Sequence, residues 1–441
     1  MTEGSIGRKL LVFCVPLILG NLLQQLYNTA DSVIVGNFVG SNALAAVGSS
    51  GALIYLLIAF SQGVSVGAGV VISHYLGADD SRNTSTAVHT ALAIVAILGV
   101  VLTAAGVALS RALLELLNTP DDVMADSVTY LRIYFGGVLF NVVYNMTAGI
   151  LNAAGNSRRS LLYLAIASVT NIVLDLVCVA LLDMGVAGAA IATNVSQLLS
   201  CVLSLGYLVR VNAPYRVVWR ELRIDGRMAG NIIRIGLPTG IQNMVISLSN
   251  AVVQSSVNAF GSDAMAGFGA YMKIDGFNIL PVLSLSLAMT TFTGQNLGAG
   301  RVERVKKGMR VTLAMGLGYT LATGALLLAF SAPLMRLFTD NAAAVAYGQL
   351  AMRYFCPFYF FLGIMHILSG TVRGAGKSIP PMVILLTSLC VLRIIWLKLL
   401  LPVYNSIDIV YASYPTTWAI GMLLMILYVW KSKWLTARNN L

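Results

Sequence analysis

Runs of twenty or more mostly apolar residues, parted by short polar loops, follow one another along this whole chain and leave few architectures open. A helix needs about 20 such residues to cross the hydrocarbon core of a bilayer. Twelve stretches qualify, near 10–38, 44–75, 87–110, 126–154, 160–182, 185–210, 231–260, 264–296, 308–331, 347–373, 380–402 and 409–430. Only helices and closed barrels satisfy their own backbone in lipid. Continuous apolar runs of this length specify helices. The expected fold is an all-α integral membrane protein of twelve transmembrane helices. Pro16 and Pro238 lie inside the first and seventh runs and should kink them, since neighbouring helices can satisfy the freed backbone groups. The first run is too long for a cleavable signal peptide.

Of 441 residues, 58% are hydrophobic and 10% charged, with a net charge of +11. Soluble domains carry roughly a quarter charged residues. The positive excess does not form a nucleic-acid face. It is distributed through one set of loops: Arg82; Arg158 and Arg159; Arg216, Arg220, Arg223 and Arg227; Arg301, Arg304, Lys306, Lys307 and Arg310; Arg373 and Lys377. Arg8, Lys9, Lys431, Lys433 and Arg438 extend the pattern to the two ends, while Asp121, Asp122, Asp183, Asp263, Asp340 and Asp408 occupy the opposite loops. Basic loops mark the cytoplasmic side. A multi-pass protein of the cell membrane with both termini cytoplasmic is expected. The five cysteines (14, 178, 201, 356 and 390) all lie in apolar runs, without metal-ligand spacing, and read as small buried hydrophobes.

The two halves repeat. A displacement of 221 residues carries Gly40-Ser41 onto Gly261-Ser262, Leu76-Gly77-Ala78 onto Leu297-Gly298-Ala299, Arg132 onto Arg353, Gly149 onto Gly370 and Ala154-Gly155 onto Ala375-Gly376. Each half holds six spans, so the repeats are parallel. The expected organisation is an N-terminal six-helix lobe over 1–211, a basic cytoplasmic linker over 212–228 and a C-terminal six-helix lobe over 229–441. Two pseudo-symmetric bundles suit alternating access, in which one rocks against the other around a central site. No nucleophile–base pair, metal motif or phosphate loop points to an enzyme, and no cofactor is implied.

Charged side chains near the bilayer centre cost several kcal/mol, roughly 2.5–3.5 each on insertion scales, and their presence there marks function. Asp31, Asp175 and Asp275 fall inside spans. Counting 1.5 Å per residue from the outer span ends puts Asp31 about 10 Å deep, and Asp175 and Thr193 about 12 Å deep. Asn171 precedes Asp175 by four residues and shares its helix face. Oxygen ligands of this kind suit a hard cation such as sodium, and two neighbouring carboxylates equally suit a proton. A purely structural bridge between helices is the plainer reading. Lys273 and Asp275 on the eighth span are two residues apart and do not face each other; each serves an ion pair, a substrate cavity or C-lobe coupling. Polar Gln24, Asn28 and Asn145 and adaptable Met244, Met272 and Met289 are candidate cavity linings, or ordinary packing.

The stretch from Pro16 through Asn21, Gln24, Asn28 and Asp31 to Gly36 resembles the first helix of the multidrug and toxic compound extrusion (MATE) family. The Lys273-Ile274-Asp275-Gly276-Phe277 stretch and the two Leu-Gly-Ala turns are similar to that family too. The resemblance covers essentially the whole chain and is closest to the DinF-like prokaryotic branch. It implies a V-shaped pair of bundles that exports cationic or amphipathic compounds in exchange for protons or sodium ions, as a monomer. It also implies an ion-coupling site at Asp31, Asn171, Asp175 and Thr193, with Tyr130 and Asn145 in the same polar network. NorM-like members add acids in the seventh and tenth helices; here the seventh offers only Gln254 and the tenth has none. The alternatives are a flippase for lipid-linked precursors from the same superfamily and a membrane scaffold that transports nothing.

Overall fold

The computed structural model describes residues 1–435, and Arg438 lies outside them. Among these residues the chain is helical throughout. The first half contains α1 (Ile6–Phe38), α2 (Ser41–Gly77), α3 (Ser81–Leu116), α4 (Asp121–Gly136), α5 (Val138–Ala153), α6 (Ser157–Asp175) and α7 (Gly185–Arg210). The second contains α8 (Gly226–Asn258), α9 (Ser262–Asn278), α10 (Leu280–Gly298), α11 (Val302–Ala329), α12 (Ser331–Arg336), α13 (Ala342–Phe355), α14 (Tyr359–Gly374), α15 (Ile379–Leu386), α16 (Arg393–Tyr404) and α17 (Ile407–Lys431).

Among the described residues, ten spans are long and apolar enough to cross a membrane, several of them made of two successive helices. An eleventh is the pair α4–α5, bent by 48° at Gly137, and the expected fourth span is therefore a broken one. The seventh expected span is α8, a 33-residue helix whose many Asn, Ser and Gln residues keep it below that apolar mark. Pro16 and Pro238 both lie within continuous helices. The turns between spans are closed by capping side chains, which accept from otherwise unpaired helix N–H groups. Asp80 accepts from the Asn83 amide at 3.0 Å, Asn156 from Arg159, Asn341 from Ala343, and Ser406 from Asp408. Large apolar side chains such as Val100, Leu399 and Trp430 point outward, the inverse of a soluble protein's surface.

Packing divides the chain into one unit of Val15–Gly240 and another of Met1–Cys14 with Ile241–Leu441. These boundaries differ from a division at the linker, for two physical reasons. First, the N-terminal part of α8 packs on α2 through glycines: a Cβ on Gly63 or Gly67 would overlap the backbone of Gly240 or Gly236. Second, the leading residues dock on the start of α11. Arg301 donates to the Thr2 carbonyl at 2.6 Å and Arg304 to that of Gly4 at 2.9 Å. The linker itself is strapped to α3, with Val218 N–H donating to His89 Nε2 at 2.9 Å and Asp225 N–H to Thr90 Oγ1 at 3.2 Å.

The repeat reaches down to single hydrogen bonds. Ser65 Oγ donates to the Asn145 carbonyl at 2.6 Å, and Ser286 Oγ, 221 residues on, donates to the His366 carbonyl at 2.7 Å. In each half the serine fills the space that Gly149 or Gly370 leaves beside it. Gly40 and Gly261 both hold positive φ (118° and 99°), as do Gly155 and Gly376 (80° and 79°), conformations in which other residues are strained.

Candidate ion site in the N-terminal unit

The sixth helix is regular up to Asp175, then widens into a π-helical turn over Leu176–Leu181. Such turns accompany functional positions because they re-aim side chains and loosen the backbone ladder. Asp175 is fully buried, and neither of its carboxylate oxygens accepts a hydrogen bond from the protein. Asn171, one helical turn earlier, is buried as well, with both its amide oxygen and its amide nitrogen unpartnered. Asp31 on α1 is half-buried, with Oδ1 enclosed and unpartnered. The two carboxylates lie within electrostatic reach of each other, and Tyr130 lies within reach of both. An unpaired buried polar group costs about 1–3 kcal/mol, and more if charged. Four such atoms lie together on Asp175 and Asn171.

An apolar frame holds these groups. Ile34 and Val35 of α1, Tyr130 of α4, Val179 of the π turn, and Val186, Ala189 and Ala190 of α7 form one buried cluster. The α7 face that contributes Val186 and Ala190 continues three and seven residues on from Ala190 to Thr193 and Gln197, both buried. Gln197 and Asn171 line one narrow cleft with Tyr27, Ser168 and Ser196. Gln197, which is not among the residues expected from sequence, also has an unpartnered Oε1. Its signal was the four-residue spacing from Thr193. Asn145 is placed differently: its amide donates to the Oδ1 and carbonyl of Asn141 at 2.9 and 3.0 Å, within its own helix. Gln24 and exposed Asn28 sit on α1 near Tyr27 in sequence, and Gln24 bonds to the Tyr27 hydroxyl.

In the other unit, Lys273 is exposed with its ammonium 5.8 Å from the Phe338 ring. Asp275 turns to Tyr271 and Tyr359. Gln254 donates to Asn258 on the same helix at 2.9 Å. Met244 and Met272 are half-buried. Met289 is fully buried, its sulfur accepting from Thr312, so it packs the core of that unit. Arg393 is buried too, 4.1 Å over the Tyr414 ring and donating to Thr417 at 3.2 Å. Among the described residues no three His, Cys, Asp or Glu side chains gather into a metal cluster.

The MatE family model matches residues 16–177 and again 238–397, one copy in each half of the repeat. The chain belongs to the MATE family. It is 32% identical over 397 residues to the probable multidrug resistance protein YpnP of Bacillus subtilis, covering 89% of this chain and 88% of that one. A 25% identity over 395 residues links it to the probable multidrug resistance protein NorM of Thermotoga maritima, covering 88% and 84%. The FAD transporter of Shewanella oneidensis is 26% identical over 410 residues, covering 90% and 88%. The fold matches a MOP superfamily transporter from Pyrococcus furiosus with a TM-score of 0.91 at 23% identity, over 97% of this chain and 96% of that one. A MATE chain is a multi-pass membrane transporter of small molecules.

Proposed function

We propose that this MATE protein exports cationic or amphipathic compounds from the cell by antiport, and that Asp31 and Asp175 bind the coupling ion, a proton or sodium. The observation that carries the reading is Asp175: fully buried, unpartnered on both oxygens and within reach of a second acid. Asn171, Thr193 and Tyr130 complete the polar lining. Such an acid costs free energy in every state where it is charged and alone, so an arriving cation is strongly favoured. Antiport follows if ion and cargo favour opposite facing states, because a ligand shifts a conformational equilibrium only through its differential affinity. An inward potential contributes about 2.3 kcal/mol per charge per 100 mV. With basic loops inside, both termini face the cytoplasm of a cell-membrane protein acting as a monomer.

Reconstitution into liposomes tests the reading. A fluorescent cation is offered while sodium and proton gradients are imposed separately, with FAD as the anionic control cargo. Wild-type protein should discharge one of the two gradients when the cation is added. Asp31→Asn and Asp175→Asn should each abolish that discharge while remaining monodisperse in detergent. Full coupled transport by either variant would sink the assignment.

A further inference from the structure

The C-terminal unit has an acid of its own within a helix, half-buried Asp275. Asp275 Oδ1 accepts from the Tyr359 hydroxyl at 2.7 Å and from the Tyr271 hydroxyl at 3.1 Å, and the two hydroxyls lie 2.7 Å from each other. Three oxygens therefore touch pairwise. Both tyrosines are 2% exposed and belong to an aromatic wall with Phe268, Phe355, Tyr414 and Trp418.

Hydrogen counting decides what this triangle lacks. With the carboxyl ionised, the two phenols supply two hydrogens for three oxygen–oxygen contacts, and each hydroxyl donates only once. One contact always goes without a hydrogen. A single added proton on the carboxyl completes the third. No metal cation fits between oxygens already at hydrogen-bond distance from one another.

The surroundings provide no other neutralising charge. Among the described residues Asp275 enters no ion pair. On its own helix Lys273 is turned to Phe338, and Asp263 accepts from Asn341. Toward it face Tyr319 of α11, Cys356 at the start of the turn before α14, and Tyr414 of α17. Tyr354 of α13 is bonded to Asp408, Arg336 of α12 is exposed, and α10 carries no titratable residue. Arg393 stacks on Tyr414 and bonds to Thr417 and Asn250.

We propose that Asp275, Tyr271 and Tyr359 form a second proton-binding site, in which the carboxyl takes up one proton to close a ring of three hydrogen bonds. This site is separate from Asp31 and Asp175, shares no residue with them and stands whichever ion they couple.

The test is infrared difference spectroscopy of the full-length protein in lipid nanodiscs, titrated from about pH 5 to pH 9. The Asp31→Asn/Asp175→Asn double variant removes the acids of the N-terminal unit. It should retain a titrating carboxylic-acid band accompanied by tyrosine ring modes. Adding Asp275→Asn should remove that band. Tyr359→Phe keeps the ring shape but deletes one donor, and should move the midpoint by about tenfold or more in proton concentration. If Asp275→Asn fails to fold, the Tyr359→Phe midpoint decides. A double variant without the band, or a band that neither Asp275→Asn nor Tyr359→Phe alters, overturns the proposal. Loss of liposome antiport in Asp31→Asn is read separately, so either proposal can fail alone.

Discussion

At the scale of single residues, the acids were the most legible feature, because a carboxylate inside an apolar run is too costly to be incidental. Asp31 and Asp175 announce themselves in that way, and in the structure both Asp175 oxygens and Oδ1 of Asp31 are enclosed without a hydrogen-bond partner. The neutral amides gave less away. Asn171 was readable from its one-turn spacing to Asp175, while Gln197 carries no charge penalty and looks like any polar residue on a helix. Tyr271 and Tyr359 stand 88 residues apart and meet only in three dimensions. Two asparagines of the expected polar network differ in their partners: Asn171 has none, and Asn145 bonds to Asn141. Asn171→Leu should reduce ion-coupled transport by roughly tenfold, as loss of a liganding or supporting group does. Asn145→Ala should leave coupling close to wild type, since its amide is spent on Asn141. Parallel liposome assays check the pair, and equal losses would contradict the placement.

Elements were legible wherever apolarity changes along the chain and hidden where it does not. The span ends follow from polar loops and capping residues. The 48° break at Gly137 was invisible because the residues immediately on either side, Tyr134-Phe135 and Val138-Leu139-Phe140, are all apolar or aromatic. The contact of α2 with α8 was likewise unreadable, for the glycines at 63, 67, 236 and 240 acquire meaning only when paired. Gly67→Leu should destabilise the protein by about 1–3 kcal/mol or more, because overpacking against a backbone cannot be relieved by a rotamer; thermal unfolding in detergent measures it. At the turn before α3, the Asn83 backbone and side-chain N–H groups hold the Asp80 carboxyl below the ordinary aspartate range. A depressed folded-state value means that the cap contributes stability above the unfolded value near about 3.9 and loses it as pH falls lower. Asp80→Ala should therefore cost about 1 kcal/mol near neutrality, and the difference from wild type should shrink below about pH 4. Hydrogen exchange at the Asn83 and Thr84 amides reports it directly.

For the molecule as a whole, the repeat was visible in sequence as matched glycines and is visible in the structure as matched bonds. Ser65→Ala and Ser286→Ala each delete one buried hydroxyl donor to a helix carbonyl and should each cost about 1 kcal/mol. The two serines belong to different packing units, so the double variant should show the sum of the two effects to within about 0.5 kcal/mol. A large non-additive remainder in denaturation experiments would mean that the units are coupled through these positions. What sequence left hidden at this scale was the boundary. Charge and length pointed to the basic linker, whereas the glycine packing of α8 carries the division on to Gly240.

That late boundary has a consequence for how the protein is made. Gly67 leaves the ribosome long before Gly236, and at about 5–20 residues per second the interval is roughly 8–34 s. Throughout that wait the glycine stripe on α2 has not yet met its packing partner on α8. A gene split for co-expression should accordingly be cut no earlier than Gly240, where the first packing unit ends. Fragments divided at the linker would leave the first one without its closing stave, and protease protection of the newly made chain would show it.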